Sequence, residues 1–274
     1  MPETAARYEP PRFNPQVPNI ARMYDYYLGG KDNFAADREA AEQALRVAPE
    51  LRQGAAEVRK YLARAVRFLV GAGVRQFIDI GCGLPTQGNV HEIAQSLAPD
   101  ARVAYADNDP VVIAHAQALL ATNPLTRVVR ADVRAPEGLL ADPEVRGLID
   151  FTRPVAFLLV AVLHVITDDE VVLRAVRVLR EAMAPGSYLV IGHAVADIRP
   201  AVTARLAQLY QDTTETTGPR RANLRTKAEV EPYFDGMEMV DPGLVYITEW
   251  RPDPDDPWPG PQPLWSLGGV GRKP

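Results

Sequence analysis

The amino-acid sequence predicts an α/β protein with a mostly parallel, doubly wound sheet covered by helices on both faces. Five short apolar runs alternate with helical patterns in the middle of the chain. Continuous apolar strands are typical of parallel sheets that are buried on both faces. The five predicted strands are Gln76–Ile80, Arg102–Ala106, Thr126–Ala131, Val155–Leu163 and Tyr188–Ile191.

The first 72 residues are predicted to form an extended arm followed by a helical cap. Prolines without helical spacing favour the arm over Pro2–Pro18. Asn19 is placed to cap a short helix that ends at Gly29-Gly30. Apolar residues at helical spacing predict two longer helices, over Asp37–Ala48 and Leu51–Val70.

Helix start signals support the alternation of strands and helices in the core. Asn89-x-x-Glu92 and Thr167-x-x-Glu170 have the spacing of capping boxes. Asp109-Pro110 places a hydrogen-bond acceptor before a first-turn proline.

The C-terminal part is less regular and is predicted to close the sheet with an antiparallel hairpin. We expect residues 1–72 to form the arm and cap, and residues 73–274 the core, within one structural domain overall. The predicted elements are a helix over Pro200–Thr216, a short helix starting at Thr226-x-x-Glu229, strand material at Met237–Val240 and Gly243–Thr248, a loop over Pro252–Pro263 and a final edge strand over Leu264–Val270.

Composition excludes several classes of protein. The 274 residues carry a net charge of −5, which disfavours a nucleic-acid-binding protein that depends on a basic surface. The single cysteine, Cys82, excludes an intrachain disulfide framework and favours the reducing cytoplasm. The longest apolar run, Val155–Leu163, is too short for a membrane-spanning helix of roughly 20 residues, and no secretory signal is evident at the N-terminus.

The strongest chemical signal is the segment Q-F-I-D-I-G-C-G-L-P from Gln76 to Pro85. It delivers Asp79 to the carboxyl end of a strand, where Gly81 and Gly83 let the backbone turn tightly around a ligand. Asp107 follows Gly83 by 24 residues, the spacing of a carboxylate that binds a ribose diol.

Two ligand classes compete for this loop. A dinucleotide-binding loop needs a third glycine, and Thr86 stands at its position. An acid two residues before the first glycine instead favours a cationic ligand with an amino-acid end. We therefore favour the second class.

The strand-end motifs in this order resemble the class I S-adenosylmethionine-dependent methyltransferases. R-A-D-V contains Asp132 and Val133 after the third strand, A-V-L-H-V-I-T-D-D-E follows the fourth strand, and A-P-G-S-Y-L-V-I enters the fifth. N-I-A-R-M-Y-D-Y-Y-L-G-G-K-D-N-F from Asn19 to Phe34, with D-I-G-C-G-L-P-T and a V-G-R-K tail, resembles an actinobacterial branch of these enzymes. The resemblance implies a Rossmann-like fold and methyl transfer from S-adenosylmethionine to a small molecule, releasing S-adenosylhomocysteine.

The resemblance also implies roles for individual residues in a cofactor pocket. Pro85 departs from the broad pattern, which has a third glycine there, and this leaves the contacts of residues 84–88 open. The implied roles are the methionine moiety for Asp79, Gly81, Cys82 and Gly83, the ribose for Asp107, the adenine for Asn108, Asp132 and Val133, and the floor of the pocket for Ala161 or Leu163.

Three of these assignments have alternatives. Asp107 could merely cap a turn, and Asp132 could pair with Arg130 or Arg134 instead of binding adenine. Cys82 could act as a nucleophile, but no adjacent base is evident, which favours a loop residue whose backbone matters.

The aromatic N-terminal segment is interpreted as a lid over the transfer site. Tyr24, Tyr26 and Tyr27 would wall the site. Lys31 or Arg22 would meet the ligand's carboxylate. Such a lid suits a displacement reaction that depends on positioning and exclusion of water. The alternative is an amphipathic helix whose tyrosines pack on the edge of the sheet.

Two histidines follow predicted strands, and either could deprotonate an oxygen or nitrogen acceptor. His164 comes after the fourth strand and His193 ends the fifth. A structural histidine at a strand end is the alternative for each. No spacing of His, Asp and Glu indicates a metal site.

Three other functions remain open at this point. A binding module could hold the cofactor without turnover, and a nicotinamide-dependent oxidoreductase is disfavoured by Thr86. A nucleic-acid methyltransferase is disfavoured by the acidic balance and by A-V-L-H standing where an N-P-P-Y-type motif would lie.

Overall fold

The computed structural model describes residues 13–86, 88–121, 123–214, 218–255 and 264–274, and contains one mixed sheet. Its strand order is β3-β2-β1-β4-β5-β8-β6, with β7 also paired to β8. The strands are β1 Gln76–Ile80, β2 Arg102–Asp107, β3 Thr126–Arg130, β4 Ala156–Val160, β5 Tyr188–Ala194, β6 Glu238–Met239, β7 Val245–Tyr246 and β8 Ser266–Arg272. The first five are parallel, and β6, β7 and β8 add the antiparallel part.

Ten α-helices lie in the described residues, and most fill the connections between strands. Two short 3-10 helices, Leu163–Val165 and Glu231–Phe234, accompany them. The α-helices are α1 Ile20–Tyr27, α2 Ala35–Val47, α3 Leu51–Gly71, α4 Val90–Leu97, α5 Pro110–Leu119, α6 Pro136–Ala141, α7 Pro143–Leu148, α8 Asp169–Ala182, α9 Pro200–Thr213 and α10 Lys227–Val230.

Alternating side chains of the parallel strands supply two apolar layers. In β1, Ile78 and Ile80 join the layer on one face, while Phe77 joins the layer that α3 covers through Tyr61 and Leu62. Asp79 follows the alternation of Phe77 and therefore faces α3. A third cluster joins α1 and α2 to α9 and to Trp265, which places the cap helices beside the sheet's carboxyl end.

Three start signals predicted from the sequence can be compared with the helix caps. Asn89 and Glu92 form a capping box, and Asp109 caps α5 before Pro110. Thr167 is wrong as the cap of α8, because the carboxylate of Asp168 accepts the N–H groups of Glu170 and Val171 instead.

The predicted strand ends differ at the fourth and fifth strands. β4 stops at Val160, and part of the remaining apolar run forms a 3-10 turn. β5 extends to Ala194, since β8 pairs with it along its whole length.

The sequence predicted that the last strand lies at the edge of the sheet, and this prediction is wrong. β8 lies between β5 and β6, with Leu267 and Val270 buried. Its glycines weaken the apolar pattern but admit close packing, because a Cβ at Gly268 would lie 2.6 Å from the ring of Tyr61.

Parts of three predicted segments lie outside the described residues, namely the arm over Pro2–Pro18, the helix over Pro200–Thr216 and the loop over Pro252–Pro263. Of the described helices, none has the length and apolar character needed to cross a bilayer.

Candidate functional site

A cavity of about 820 Å³ opens at the carboxyl ends of the parallel strands. The strand order reverses between β1 and β4, and open α/β sheets bind ligands at this switch point. The volume is at the upper end of the range of about 300–1,000 Å³ that small-molecule sites occupy.

The loop after β1 approaches the cavity with its backbone. The N–H groups of Gly81 and Cys82 both donate to the carbonyl of Ala106, at 2.8 and 3.2 Å. Gly81 has a φ of +72°, and a Cβ there would lie 2.4 Å from Cγ2 of Val162. Gly83, at φ +66°, has open space where a Cβ would stand. The turn therefore needs glycine at Gly81 for both its conformation and its contact.

Asp107 ties this loop to the end of β2. One carboxylate oxygen accepts the N–H of Gly83 at 3.0 Å, and the other accepts the N–H of Asp109 at 3.0 Å. Burial raises the pKa of Asp107 to about 6 despite these hydrogen bonds. The carboxylate is fixed in place and still borders the cavity.

Asp79 borders the cavity beside Asp107, and fewer hydrogen bonds offset the burial of its carboxylate. Its side chain is 5% exposed, and no hydrogen bond from the described part of the chain reaches its carboxylate. Burial raises the pKa of Asp79 to about 7; the positive charge of Arg59 opposes this rise, and the charge of Asp107 adds to it. Such a carboxylate is poised to bind a cationic group.

The adenine-binding residues suggested by the resemblance also border the cavity. They are Asn108, Asp132 and Val133. Asp132 is paired as well, since Arg134 donates from Nε to its Oδ1 at 2.9 Å and from Nη2 to its Oδ2 at 2.5 Å. Burial acts to raise the pKa of Asp132, but the hydrogen bonds from Arg134 outweigh it and lower the pKa.

Cys82 is half-buried at the cavity wall. Burial, with the nearby charges of Asp107 and Asp79, raises the pKa of the thiol well above its usual value. The thiol stays protonated at neutral pH, which agrees with the interpretation of Cys82 as a loop residue.

Two of the three tyrosines of the N-terminal segment, Tyr24 and Tyr27, line the cavity, whereas Tyr26 does not and donates to Glu42 instead. Tyr24 donates to the carbonyl of Ala55 at 2.9 Å, and the hydroxyl of Tyr27 lies 2.9 Å from the hydroxyl of Tyr210 on α9. Burial raises the pKa of both Tyr24 and Tyr27. They join α1 to α3 and to α9 across the cavity.

The two basic residues suggested for the lid are placed differently. Lys31 is exposed and does not line the cavity. Arg22 does line it but is 4% exposed, with Nε 3.5 Å from a carboxylate oxygen of Asp37 and Nη2 donating to Val17. The turn at Gly29, which has a φ of +80°, and Gly30 leaves Lys31 exposed and outside the cavity.

The histidine pair is divided between the cavity and the core. His164 lines the cavity, and its Nδ1 accepts the N–H of Ala194 at 3.5 Å. Burial, with the charge of Arg225, lowers the pKa of His164 to about 4. His193 is 1% exposed and lies behind it, with ring centroids 5.6 Å apart, and donates from Nδ1 to the carbonyl of Ala194.

The floor residues are divided in the same way. Ala161, at φ +64°, lines the cavity, whereas Leu163 is fully buried and does not. The 3-10 turn that ends the apolar run carries Leu163 into the core.

Sequence reasoning missed Arg59, Tyr210 and Trp265, all of which line the cavity. Arg59 lies on α3 beside the apolar stripe that predicted the helix. Among the described residues, no group of three His, Cys, Asp or Glu side chains is arranged to hold a metal ion.

Comparison with known proteins identifies this architecture. The chain matches the S-adenosyl methyltransferase family over residues 6–274. A candidate methyltransferase from Thermobifida fusca YX is 47% identical, with a TM-score of 0.86 over 94% of this chain and 96% of that one. A DUF574 family protein from Streptomyces avermitilis MA-4680 is 40% identical, with a TM-score of 0.87 over 94% and 98% of the two chains. No curated protein matches the chain.

A more distant structure supports the fold alone. Human N-acetylserotonin methyltransferase in complex with S-adenosylmethionine is 15% identical, with a TM-score of 0.50 over 94% of this chain and 63% of that one. The sheet therefore has the Rossmann-like fold of the class I methyltransferases. Because the family match covers nearly the whole sequence, this chain belongs to the S-adenosyl methyltransferase family and is an S-adenosylmethionine-dependent methyltransferase.

Proposed function

We propose that the cavity holds S-adenosylmethionine with its methionine end at the loop after β1 and its adenosine end over β2 and β3. The carboxylate of Asp79 carries the proposal, because it is buried without a hydrogen bond from the described residues and fits a cationic group. The ligand offers two cationic groups there, an ammonium and a sulfonium. When bound, it would supply an activated methyl group, whose carbon bonds in line to a nucleophile as the carbon–sulfur bond breaks and S-adenosylhomocysteine leaves.

Different charged residues of the cavity bind different groups of the ligand. Asp79 binds the ammonium, and Arg59 on α3 binds the carboxylate of the methionine moiety, since both side chains border the same end. Asp107 receives the ribose hydroxyls with the oxygen lone pairs that Gly83 and Asp109 leave free. Backbone groups of Gly81, Cys82 and Gly83 border the methionine chain.

Asn108 and Val133 border the adenine, and Ala161 forms part of the floor. Asp132 contributes to the adenine wall as a pair with Arg134 rather than as a free carboxylate. We leave Lys31, Leu163 and His193 out of the site, because none of them lines the cavity.

The chain's contribution to catalysis is positioning and exclusion of water. Tyr24 and Tyr27 close the site on the side of the cap. His164 is neutral at pH 7, with a pKa of about 4, which makes it a weak base at that pH. We assign it the orientation of the acceptor through a hydrogen bond.

We propose a small-molecule acceptor and no nucleic-acid partner, because the cavity lies between the sheet and the cap and the net charge is −5. The lone cysteine supports a cytoplasmic location. The division into a cap of residues 1–72 and a core of residues 73–274 within one domain also stays a proposal. It is supported by α3, which packs Tyr61 and Leu62 into the sheet's apolar layer.

Titration calorimetry with S-adenosylhomocysteine and with NAD tests the assignment. We expect S-adenosylhomocysteine to bind and NAD not to bind. A protein that binds NAD and not S-adenosylhomocysteine would overturn it. Arg67 is an exposed arginine on the same helix as Arg59, so Arg67→Gln is the control for Arg59→Gln and should bind S-adenosylhomocysteine like the wild type.

A further inference from the structure

The cavity extends well beyond the cofactor positions, over β4, β5 and β8. We call this part the acceptor half. Its wall is made by the turn after β4, by α9, by residues 221–225 and by the segment that enters β8. Its apolar and aromatic members include Met23, Tyr27, Leu206, Tyr210, Leu224 and Trp265.

The acceptor half has no uncompensated charge among the described residues that line it. Its charged side chains are Arg221 and Arg225. Arg225 is 2% exposed and pairs with Asp169 at 2.8 Å, while also donating to the carbonyls of Leu163 and Ile166. Arg221 pairs with Asp169 and, at 2.9 Å, with Glu229. A charged ligand would therefore enter without a free counter-charge, at a desolvation cost.

Two uncharged polar side chains of the wall, Gln211 and Asn223, are already committed to holding the backbone. Gln211 donates to the carbonyls of Ala207 and Arg221 and accepts the N–H of Arg221. Asn223 donates to the carbonyl of Pro200 and accepts the N–H of Leu224. These groups build the wall and leave little capacity for a ligand.

The Tyr27–Tyr210 hydroxyl pair is different, because it retains a hydrogen. The two oxygens are 2.9 Å apart, and one hydroxyl donates to the other. The accepting hydroxyl keeps its own O–H, and no second hydrogen bond from either hydroxyl is made within the described residues. Burial raises the pKa of Tyr210 to about 12 and that of Tyr27 further, so both stay protonated at pH 7. The pair can donate one hydrogen bond to a ligand.

We propose that the acceptor half binds an uncharged, planar aromatic molecule whose oxygen accepts a hydrogen bond from the Tyr27–Tyr210 pair. This inference rests on the proposed function, since the cofactor must occupy the other half. Trp265, 7% exposed and packed in the cluster with Tyr27 and Leu206, provides a flat apolar wall for a ring. Tyr210 thereby acts as a specificity-determining residue that joins α9 to the cap.

The test uses three probes with one ring system and different charge, namely 2-naphthol, 2-naphthoate and 2-naphthylmethylammonium. Each is titrated calorimetrically into the wild-type protein saturated with S-adenosylhomocysteine at pH 7. We expect 2-naphthol to bind at least about tenfold more tightly than either ion. Equal or tighter binding of an ion would overturn the inference, as would failure of 2-naphthol to bind.

Tyr210→Phe and Tyr27→Phe test the hydrogen bond. Each is expected to weaken 2-naphthol binding about 2- to 12-fold, the effect of one neutral hydrogen bond. Tyr210→Phe, which lies outside the proposed cofactor contacts, is expected to leave the affinity for S-adenosylhomocysteine within about twofold. Unchanged 2-naphthol affinity in both variants would overturn the role of the pair. If the wild type did not bind S-adenosylhomocysteine, the proposed function would be overturned instead. Failure of this inference and failure of the proposed function are therefore distinguishable.

Discussion

The two halves of the cavity handle charge in opposite ways. In the cofactor half, Asp79 and Asp107 are buried with pKa values raised to about 7 and about 6. In the acceptor half, Arg221 and Arg225 are paired with Asp169 and Glu229.

The difference indicates which half is built for a charged ligand. A buried carboxylate without a fixed cation destabilises the empty protein, and a ligand cation removes that cost on binding. A wall whose charges are already matched gains little from a charged ligand. This difference supports the two proposals that the cofactor half binds a sulfonium and an ammonium and that the acceptor half binds a neutral molecule.

The largest effect is expected for Asp107→Asn. The substitution removes the charge and one of the two oxygens that face the ribose and hold the N–H groups of Gly83 and Asp109. We expect a loss of about 2–3 kcal/mol, or about 30- to 150-fold in affinity for S-adenosylhomocysteine. Calorimetry measures this, with the exposed Asp100→Asn as control. A change under threefold would contradict the assigned role.

Asp79→Asn should move ligand binding and stability in opposite directions. We expect S-adenosylhomocysteine affinity to fall about tenfold or more, because the ammonium loses a charged partner. At pH 7.5 the ligand-free variant should melt higher than the wild type by about 2–4 °C, for about 1 kcal/mol of relieved burial cost. A lower melting temperature with unchanged affinity would show that Asp79 is structural.

The same carboxylate gives a pH dependence of known sign. Its pKa of about 7 in the native state lies above the unfolded value of about 3.9. Its protonated form therefore stabilises the ligand-free protein below about pH 4, and that contribution is lost as pH rises toward 7.

Ligand affinity should follow the opposite trend. The ionised fraction of Asp79 rises from about one tenth at pH 6 to about three quarters at pH 7.5, so affinity for S-adenosylhomocysteine should rise about eightfold. Calorimetry at both values, on the wild type and Asp79→Asn, measures this contribution. A variant with the same pH profile as the wild type would contradict it.

The sequence predicted which residues lie together at the proposed cofactor end of the cavity, because they are local. Asp79, Gly81 and Gly83 lie within five positions at the end of β1, and Asp107 ends the next strand. Strand ends of a parallel sheet meet at one edge, so linear spacing carries three-dimensional information. The longer cap helices were predicted from a similarly local signal, namely apolar residues at helical spacing.

The acceptor half was not predictable in this way. Tyr27 meets Tyr210 across 183 positions, and Trp265 packs with both the cap and α9. Nothing local distinguishes Tyr210 from other helix residues. The structure does not place Lys31 at the cavity for a related reason. The motif shows that charged and aromatic residues occur together, but it does not show which side chains face the cavity after the turn at the two glycines.

Arg59→Gln tests a residue of the cofactor half that only the structure identified. We expect an affinity loss of about 5- to 10-fold for S-adenosylhomocysteine, less than a buried charged hydrogen bond gives because Arg59 is half-exposed. Since the charge of Arg59 lowers the pKa of Asp79, the midpoint of the affinity profile should shift to higher pH. Arg67→Gln on the same helix is the control, and an unshifted midpoint would contradict the interaction.

The smallest effect is expected for His193→Phe, which separates the two histidines at the border of the acceptor half. The substitution keeps an aromatic ring beside His164 and Tyr233, and it removes the buried Nε2, which has no hydrogen-bond partner among the described residues. Only the hydrogen bond from Nδ1 to the carbonyl of Ala194 is lost.

We expect the free energy of unfolding of His193→Phe to change by less than about 1 kcal/mol, because removal of a buried group without a partner offsets the lost hydrogen bond. Its affinities for S-adenosylhomocysteine and 2-naphthol should stay within about twofold of the wild type. The ring centroid of His164 lies 5.6 Å from that of His193. His164→Phe should weaken the binding of 2-naphthol and leave the binding of S-adenosylhomocysteine unchanged. If His193→Phe weakened 2-naphthol as much as His164→Phe does, the border between the core and the acceptor half would have to be drawn behind His193.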